Sequence, residues 1–248
     1  AQQENGNWHI GIRGISDEDA KLISSRPEVA TVADYGVLNY RGEQGYTLSG
    51  KNVVICGSSE SHVTEIFNTL DKGKFPTNEN EALITNNAKD MLNLEIGEQI
   101  VITLPDGDEM TYTISGFLNN AAKLMSEDSY GVFLTTESFR AIYPDGTNSN
   151  PADYTMRYVQ FKSARNIQSN IADIKQQFGL SDEQVSENTE LLGLLGQSSN
   201  SFMLQVYSTA VILFILVLIA GVLMITSSMN SNVAQRTEFF GMVRCIGA

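Results

Sequence analysis

Hydrophobic and polar positions change period several times along this chain. WHIGI (residues 8–12) is a short run of strand-forming residues. Ser16 then stands as a helix N-cap, with Asp19 three residues on as in a capping box and Ile15 and Ala20 flanking it as a weak staple. That helix ends near Arg26-Pro27, because the residue before a proline avoids the helical region. EVATVADYGVLNY (28–40) reads as a second strand. The same order returns late in the chain. MRYVQF (156–161) is a strand, and residues 163–179 form a helix with Ser163 as its cap. Ile167, Ile171, Ile174 and Phe178 make one stripe on that helix, and Gly179 stops it by taking positive φ. EQVSEN (183–188) is a short strand. Two strand–helix–strand units predict one α+β subdomain, residues 1–50 and 144–190, split by an insertion.

The insertion, 51–143, reads as β-rich, barrel-like or folded over on itself. IVITL (100–104), the turn PDGD (105–108) and TYTISGF (111–117) predict a hairpin, with Tyr112 and Ile114 on one face and the threonines on the other. SSESHVTEIFNTL (58–70) predicts a helix leading into GKFPTNENEALIT.

Residues 206–225 break with both periods. The run is apolar all round, with Ser208 and Thr209 near its start. At about 1.5 Å per residue it reaches about 30 Å, the hydrocarbon thickness of a bilayer. We expect a transmembrane helix over 206–226 rather than a buried core helix, which would normally carry polar residues on one face.

Charge gives the span a direction. The chain carries 29 acidic and 16 basic residues, a net charge of −13, yet no charged side chain occurs from 191 to 235. Beyond it, Arg236 and Arg244 stand against Glu238. The positive-inside bias puts this tail in the cytoplasm and residues 1 to about 205 outside the cell membrane. The acidic outer part repels nucleic acid and anionic headgroups, so no nucleic-acid partner is expected. Cys56 and Cys245 flank the span and are expected to stay unpaired. AQQENGNWHI has neither the basic nor the apolar region of a signal peptide, so the chain is expected either to be exported by something outside this sequence or to be a fragment.

Candidate chemistry is sparse. The two histidines are His9 and His62. His62 and Glu65 have the spacing to ligate a metal edge-on but lack a third ligand in sequence, and a surface helix face is the better reading. Ser58 and His62 do not form a nucleophilic pair on a Gly-x-Ser-x-Gly elbow, since the local sequence is CGSSES. No phosphate loop ending in Gly-Lys-Ser/Thr is present, and DGDE (106–109) lacks the ligand ladder of an EF-hand. We assign no catalytic, metal or cofactor-binding residue and expect no enzyme.

The tail QRTEFFGMVRCIGA (235–248) is patterned. On a helix, Phe239, Met242, Val243 and Ile246 share one face, and Arg236, Phe240 and Arg244 share another. Such a helix serves equally as an interfacial anchor with snorkelling arginines or as a docking ridge for a soluble partner. The fold class expected is therefore α+β: a split βαβ-repeat subdomain with an inserted β-rich subdomain, followed by one transmembrane helix and a short cytoplasmic amphipathic helix.

Arg236, Gly241, Met242, Val243, Arg244, Ile246, Gly247 and Ala248 match a pattern. It resembles the cytoplasmic coupling helix of FtsX-like/MacB-type ABC transporter permeases. The approach IAGVLMITSSMNSNVAQR is similar, with Asn230 and Asn232 where such permeases carry polar residues. GKFPTNENEALITNNAKDMLNLEIGEQI, with Gly73, Phe75, Pro76, Glu81, Leu94 and Gly97, resembles the middle of their outer domain. Two positions depart from the pattern. Phe239 stands where the family has an acid, Glu238 being one place earlier, and Cys245 replaces a small residue.

The resemblance implies a chain lying between the first membrane helix of a four-helix permease and its coupling helix, hence a piece of a longer protein. It implies ATP on a separate ATP-binding cassette subunit, and pairing with a second permease copy or a related permease. It also implies a bilayer around the span and a substrate or client outside. The docking residues it marks are Arg236, Glu238, Phe239, Gly241, Met242, Val243, Arg244, Ile246 and Gly247, on a coupling helix over 233–248. A stalk is expected over 191–205, with Leu191, Leu194 and Leu195 packing on a neighbouring helix or protomer. The alternative is a single-span sensor with an extracellular ligand-binding domain. A membrane-tethered hydrolase would need a clustered site around His62.

Overall fold

The computed structural model describes residues 5–40, 42, 44–119, 129–143, 155–197, 201–245 and 247. Its elements begin with β1 (Ile10–Arg13), α1 (Asp17–Ser24), β2 (Val29–Leu38), β3 (Thr47–Leu48), β4 (Lys51–Ser58) and β5 (Leu70–Gly73). There follow β6 (Glu81–Thr85), α2 (Asn86–Leu92), β7 (Gln99–Thr103), β8 (Glu109–Leu118), β9 (Tyr130–Thr135) and α3 (Thr136–Ile142). The last are β10 (Thr155–Phe161), α4 (Ile167–Phe178), β11 (Val185–Glu187), α5 (Thr189–Leu194) and α6 (Ser201–Cys245). The chain divides into two compact units, Ala1–Gln197 and Ser198–Ala248.

In the first unit one sheet runs β11-β1-β10-β2-β4, each neighbour antiparallel. From β4 the pairing continues through β3, β7, β8, β6 and β9 and returns to β4, closing a ring. β5 pairs antiparallel with the C-terminal end of β8, Leu70 opposite Leu118. Only β4–β9 and β6–β8 are parallel among these pairs. A strand shared by an open sheet and a closed ring is covered on both faces, and β4 is apolar accordingly. Val53 and Ile55 pack with Leu48, Ile84, Ile102, Ile114, Val132 and Leu134 in one cluster. Val54 and Cys56 face the other way, among Tyr35, Phe67, Phe133 and Tyr158. A third cluster joins Ile10, Ile12, Val159 and Phe161 of the open sheet to Ile23 of α1 and Ile167, Ile171 and Ile174 of α4.

The Ser16 box forms as its pattern predicts. Asp19 N–H donates to Ser16 Oγ at 3.0 Å, and Ser16 Oγ–H donates to Asp19 Oδ2 at 2.8 Å. The strand–turn–strand over 100–117 is β7 and β8, with Gly107 at φ 92° in the turn. Gly179 closes α4 at φ 63°. Two expectations fail. Ser163 does not cap α4: the helix starts at Ile167 after Asn166 at φ 61°, and Ser163 Oγ instead accepts from Arg165 N–H at 3.1 Å. The helix over 58–70 is also shorter than expected. Ser58 belongs to β4, and the chain is helical only over 60–66, wound as a wide π-type turn from His62 to Ile66. Val63, Ile66 and Phe67 are drawn into the second cluster, and Asn68 at φ 49° reverses the chain. Burial of those three side chains outweighs regular helix spacing.

The second unit is α6, a single helix of 45 residues.

Candidate functional site

The sequence points to the end of α6, and the helix carries those residues as a continuation of the apolar run. At about 1.5 Å per residue its 45 residues reach about 68 Å, where a bilayer core takes about 30 Å. By length and composition residues Gln205–Cys245 are able to cross a membrane, and none of the most apolar window is buried. The hydroxyls within it are satisfied locally: Thr209 Oγ1–H donates to Gln205 O and Thr226 Oγ1–H to Val222 O, both at 2.8 Å. Such i−4 bonds let Thr sit in an apolar medium without a stranded donor.

Arg236, Glu238, Phe239, Gly241, Met242 and Arg244 are exposed and Val243 is half-buried. Gly247 follows the helix at φ 81°, and Ile246 lies outside the described residues. At about 100° per residue, Phe239, Met242 and Val243 form an apolar ridge, with Arg236, Phe240 and Arg244 on the adjoining face. Glu238 and Gly241 fall on the far side. The rings of Phe239 and Phe240 meet edge-on, 6.1 Å apart. The tail therefore brings together an apolar ridge and a cationic edge.

The stalk residues divide. Leu191 and Leu192 are buried in the first unit and Leu195 packs against its third cluster, while Leu194 is exposed. Asn188 caps α5 by accepting from Leu191 N–H at 3.2 Å.

His62 is not on a surface helix face. Its ring is fully buried, stacked on Tyr35 at 4.8 Å and 8°, with Phe67, Phe133 and Tyr158 around it. Neither ring nitrogen has a hydrogen-bond partner among the described residues. Burial pushes its pKa down to about 3. Glu65 points elsewhere, accepting from Thr31 Oγ1–H at 2.6 Å. The fold thus separates the pair whose spacing suits a metal, and Ser58 Oγ likewise lacks a partner among the described residues.

The strongest charge constellation escapes the sequence reading. Arg157, 1% exposed in the middle of β10, pairs with Asp17 of α1 and Asp34 of β2. Arg140 of α3 reaches the same Asp17 with two bonds, at 2.8 and 2.7 Å. These hydrogen bonds from Arg140, with help from Arg157, hold the Asp17 carboxyl down at about 2. The group lines a cavity of about 320 Å³ with Lys21, Ser24 and Glu137. The available signal is an arginine between Met156 and Tyr158 in a strand whose other residues carry no charge.

This architecture, an α+β outer unit followed in sequence by one long apolar helix, defines a membrane protein with an extracytoplasmic domain. Over residues 1–177 the sequence matches the MacB-like periplasmic core domain. The chain belongs to that family, the extracytoplasmic module of FtsX-like/MacB-type ABC transporter permeases. Among solved structures, the periplasmic region of MacB from Actinobacillus actinomycetemcomitans is similar at a TM-score of 0.50 and 10% identity, over 80% of this chain and 97% of that one. A domain of a putative permease protein from Porphyromonas gingivalis aligns at a TM-score of 0.48 and 10% identity, over 74% and 87% of the two chains. The extracellular domain of the noncanonic ABC-type transporter YknZ from Gram-positive bacteria aligns at 0.48 and 12%, over 73% and 99%. No curated protein matches significantly.

Proposed function

We propose that this chain is the transmission part of an ABC transporter permease. ATP hydrolysis on a separate ATPase subunit moves the tail of α6, and the motion passes along the helix to the outer domain. The carrying observation is the continuity of α6 from Ser201 to Cys245. An uninterrupted helix passes axial and rotational displacement along its length, whereas a break would absorb it. The ridge of Phe239, Met242 and Val243 fits an apolar groove, and Arg236 and Arg244 fix its register by pairing with carboxylates on the ATPase. The arginines orient this end to the cytoplasm and the acidic unit outward. The permease works with a second copy or a related permease, and its client lies outside the membrane.

The test is Met242→Glu together with Arg244→Glu in the full-length permease. Each puts a carboxylate where the ridge or its cation meets the partner. ATPase co-purification is expected to fall at least about tenfold, the effect of losing one well-buried interfacial contact. Co-purification at the wild-type level would refute the docking role.

A further inference from the structure

Residues 5–10 lead into the outer domain and residues 187–197 lead out of it, and the two runs are stitched side by side. β1 and β11 pair antiparallel, with Ile10 opposite Glu187 and Gly11 opposite Ser186. Asn188, at the end of that ladder, is buried. Its backbone N–H donates to His9 O at 3.0 Å. Its side-chain Nδ2 donates to Trp8 O at 3.0 Å and to Gly6 O at 3.4 Å. Its Oδ1 caps α5 through Leu191 N–H. One amide thus serves both segments, through different atoms. The neighbours reinforce the join. Gly6, at φ 75°, lies so close to the Phe67 ring that a Cβ would sit 3.0 Å from it, and Asn7 N–H donates to Ile66 O at 2.7 Å. Gln168 Nε2 of α4 holds Gln197 O at 2.7 Å.

We infer that Asn188 is a positioning residue that fuses the incoming and outgoing segments into one base. Driven motion then reaches the sheet as displacement of the whole base and not as a parting of the two runs. The inference rests on the transmission reading above. A capping residue alone needs only an acceptor at this position, and serine or aspartate supplies one. The two Nδ2–H donations to Gly6 and Trp8 have no capping role, and in a buried place they are stable only if the segments stay together.

The experiment uses the full-length permease assembled with its ATPase in lipid nanodiscs, followed by amide hydrogen exchange with and without ATP. Protection of residues 5–10 and 185–192 is expected to be the same in both nucleotide states. Asn188→Ser keeps the cap and loses the tie, so exchange over 5–9 is expected to rise about tenfold while 100–118 is unchanged. Gly11→Cys with Ser186→Cys, made in a Cys245→Ala background, locks the runs covalently; a Cβ at Gly11 lies 2.9 Å from Ser186 Oγ, within disulfide reach. The oxidised pair is expected to hydrolyse ATP at the reduced pair's rate and to restore protection of 5–9 in Asn188→Ser. ATP-induced exchange over 5–10, or hydrolysis that falls on oxidation and returns on reduction, would overturn the inference. An assembly that never hydrolyses ATP refutes the transmission reading instead, and exchange in the isolated permease still reports on the tie.

Discussion

Arg157 concentrates the charge of the outer domain in a place that water barely reaches. Its guanidinium pairs with Asp17 and Asp34, so a neutral replacement leaves Asp34 without that arginine and Asp17 held by Arg140 alone, in a partly dry place. Arg157→Met is expected to cost about 2–3 kcal/mol in urea unfolding, below the figure for a fully buried pair because Asp17 is half exposed. His62 gives a pH signature. Its folded pKa of about 3 lies under the ordinary 6.5, so the unfolded chain binds the extra proton between those values. Stability contributed by the neutral ring is complete above about pH 6.5 and falls as pH drops toward 3, by about 2 kcal/mol at pH 5. His62→Phe keeps the stack on Tyr35 and removes this loss. The variant is therefore expected to be more stable than wild type at pH 5, and parallel curves from pH 7 to 5 would show that the ring is not held neutral.

At the scale of elements, seating decides more than periodicity does. α3 fits onto the sheet because Gly36 of β2 and Gly57 of β4 leave room for Phe139, which is 1% exposed. A Cβ on Gly57 would stand 2.4 Å from Phe139 Cβ and Cγ. Gly57→Ala is expected to destabilise by about 2 kcal/mol, and by clearly less in a Phe139→Gly background, where both Cβ and the ring are gone. A double-mutant cycle by chemical denaturation measures the difference. The same logic separates the elements that pattern predicts from those it does not. The Ser16 box and the Ile167–Ile171–Ile174 stripe are local arrangements, and they form. The segment 58–70 has helical spacing too, yet Val63, Ile66 and Phe67 are claimed by strands distant in sequence, and only a short helical piece over 60–66 survives.

For the whole molecule, the proposed transmission turns on which way α6 crosses the bilayer. The two cysteines offer a native probe, since Cys245 is exposed and Cys56 is buried. A membrane-impermeant maleimide is expected to label Cys245 only after cells are opened. Labelling in intact cells would reverse the orientation and remove the tail from any cytoplasmic ATPase.

The apolar run, its length, the arginines beyond it and the ridge they border are properties of consecutive residues, so the sequence by itself determined the candidate span, the two-faced pattern of the tail and the family likeness. Only the tertiary structure decided that Arg157 meets Asp17 and Asp34, that His62 is a neutral ring in an aromatic cluster, and that Asn188 ties the two ends of the outer domain together. The Arg157–Asp17 and Asn188–Gly6 bonds join residues 140 and 182 positions apart. No local pattern encodes such pairings, because they exist only once the sheet has brought distant strands into register.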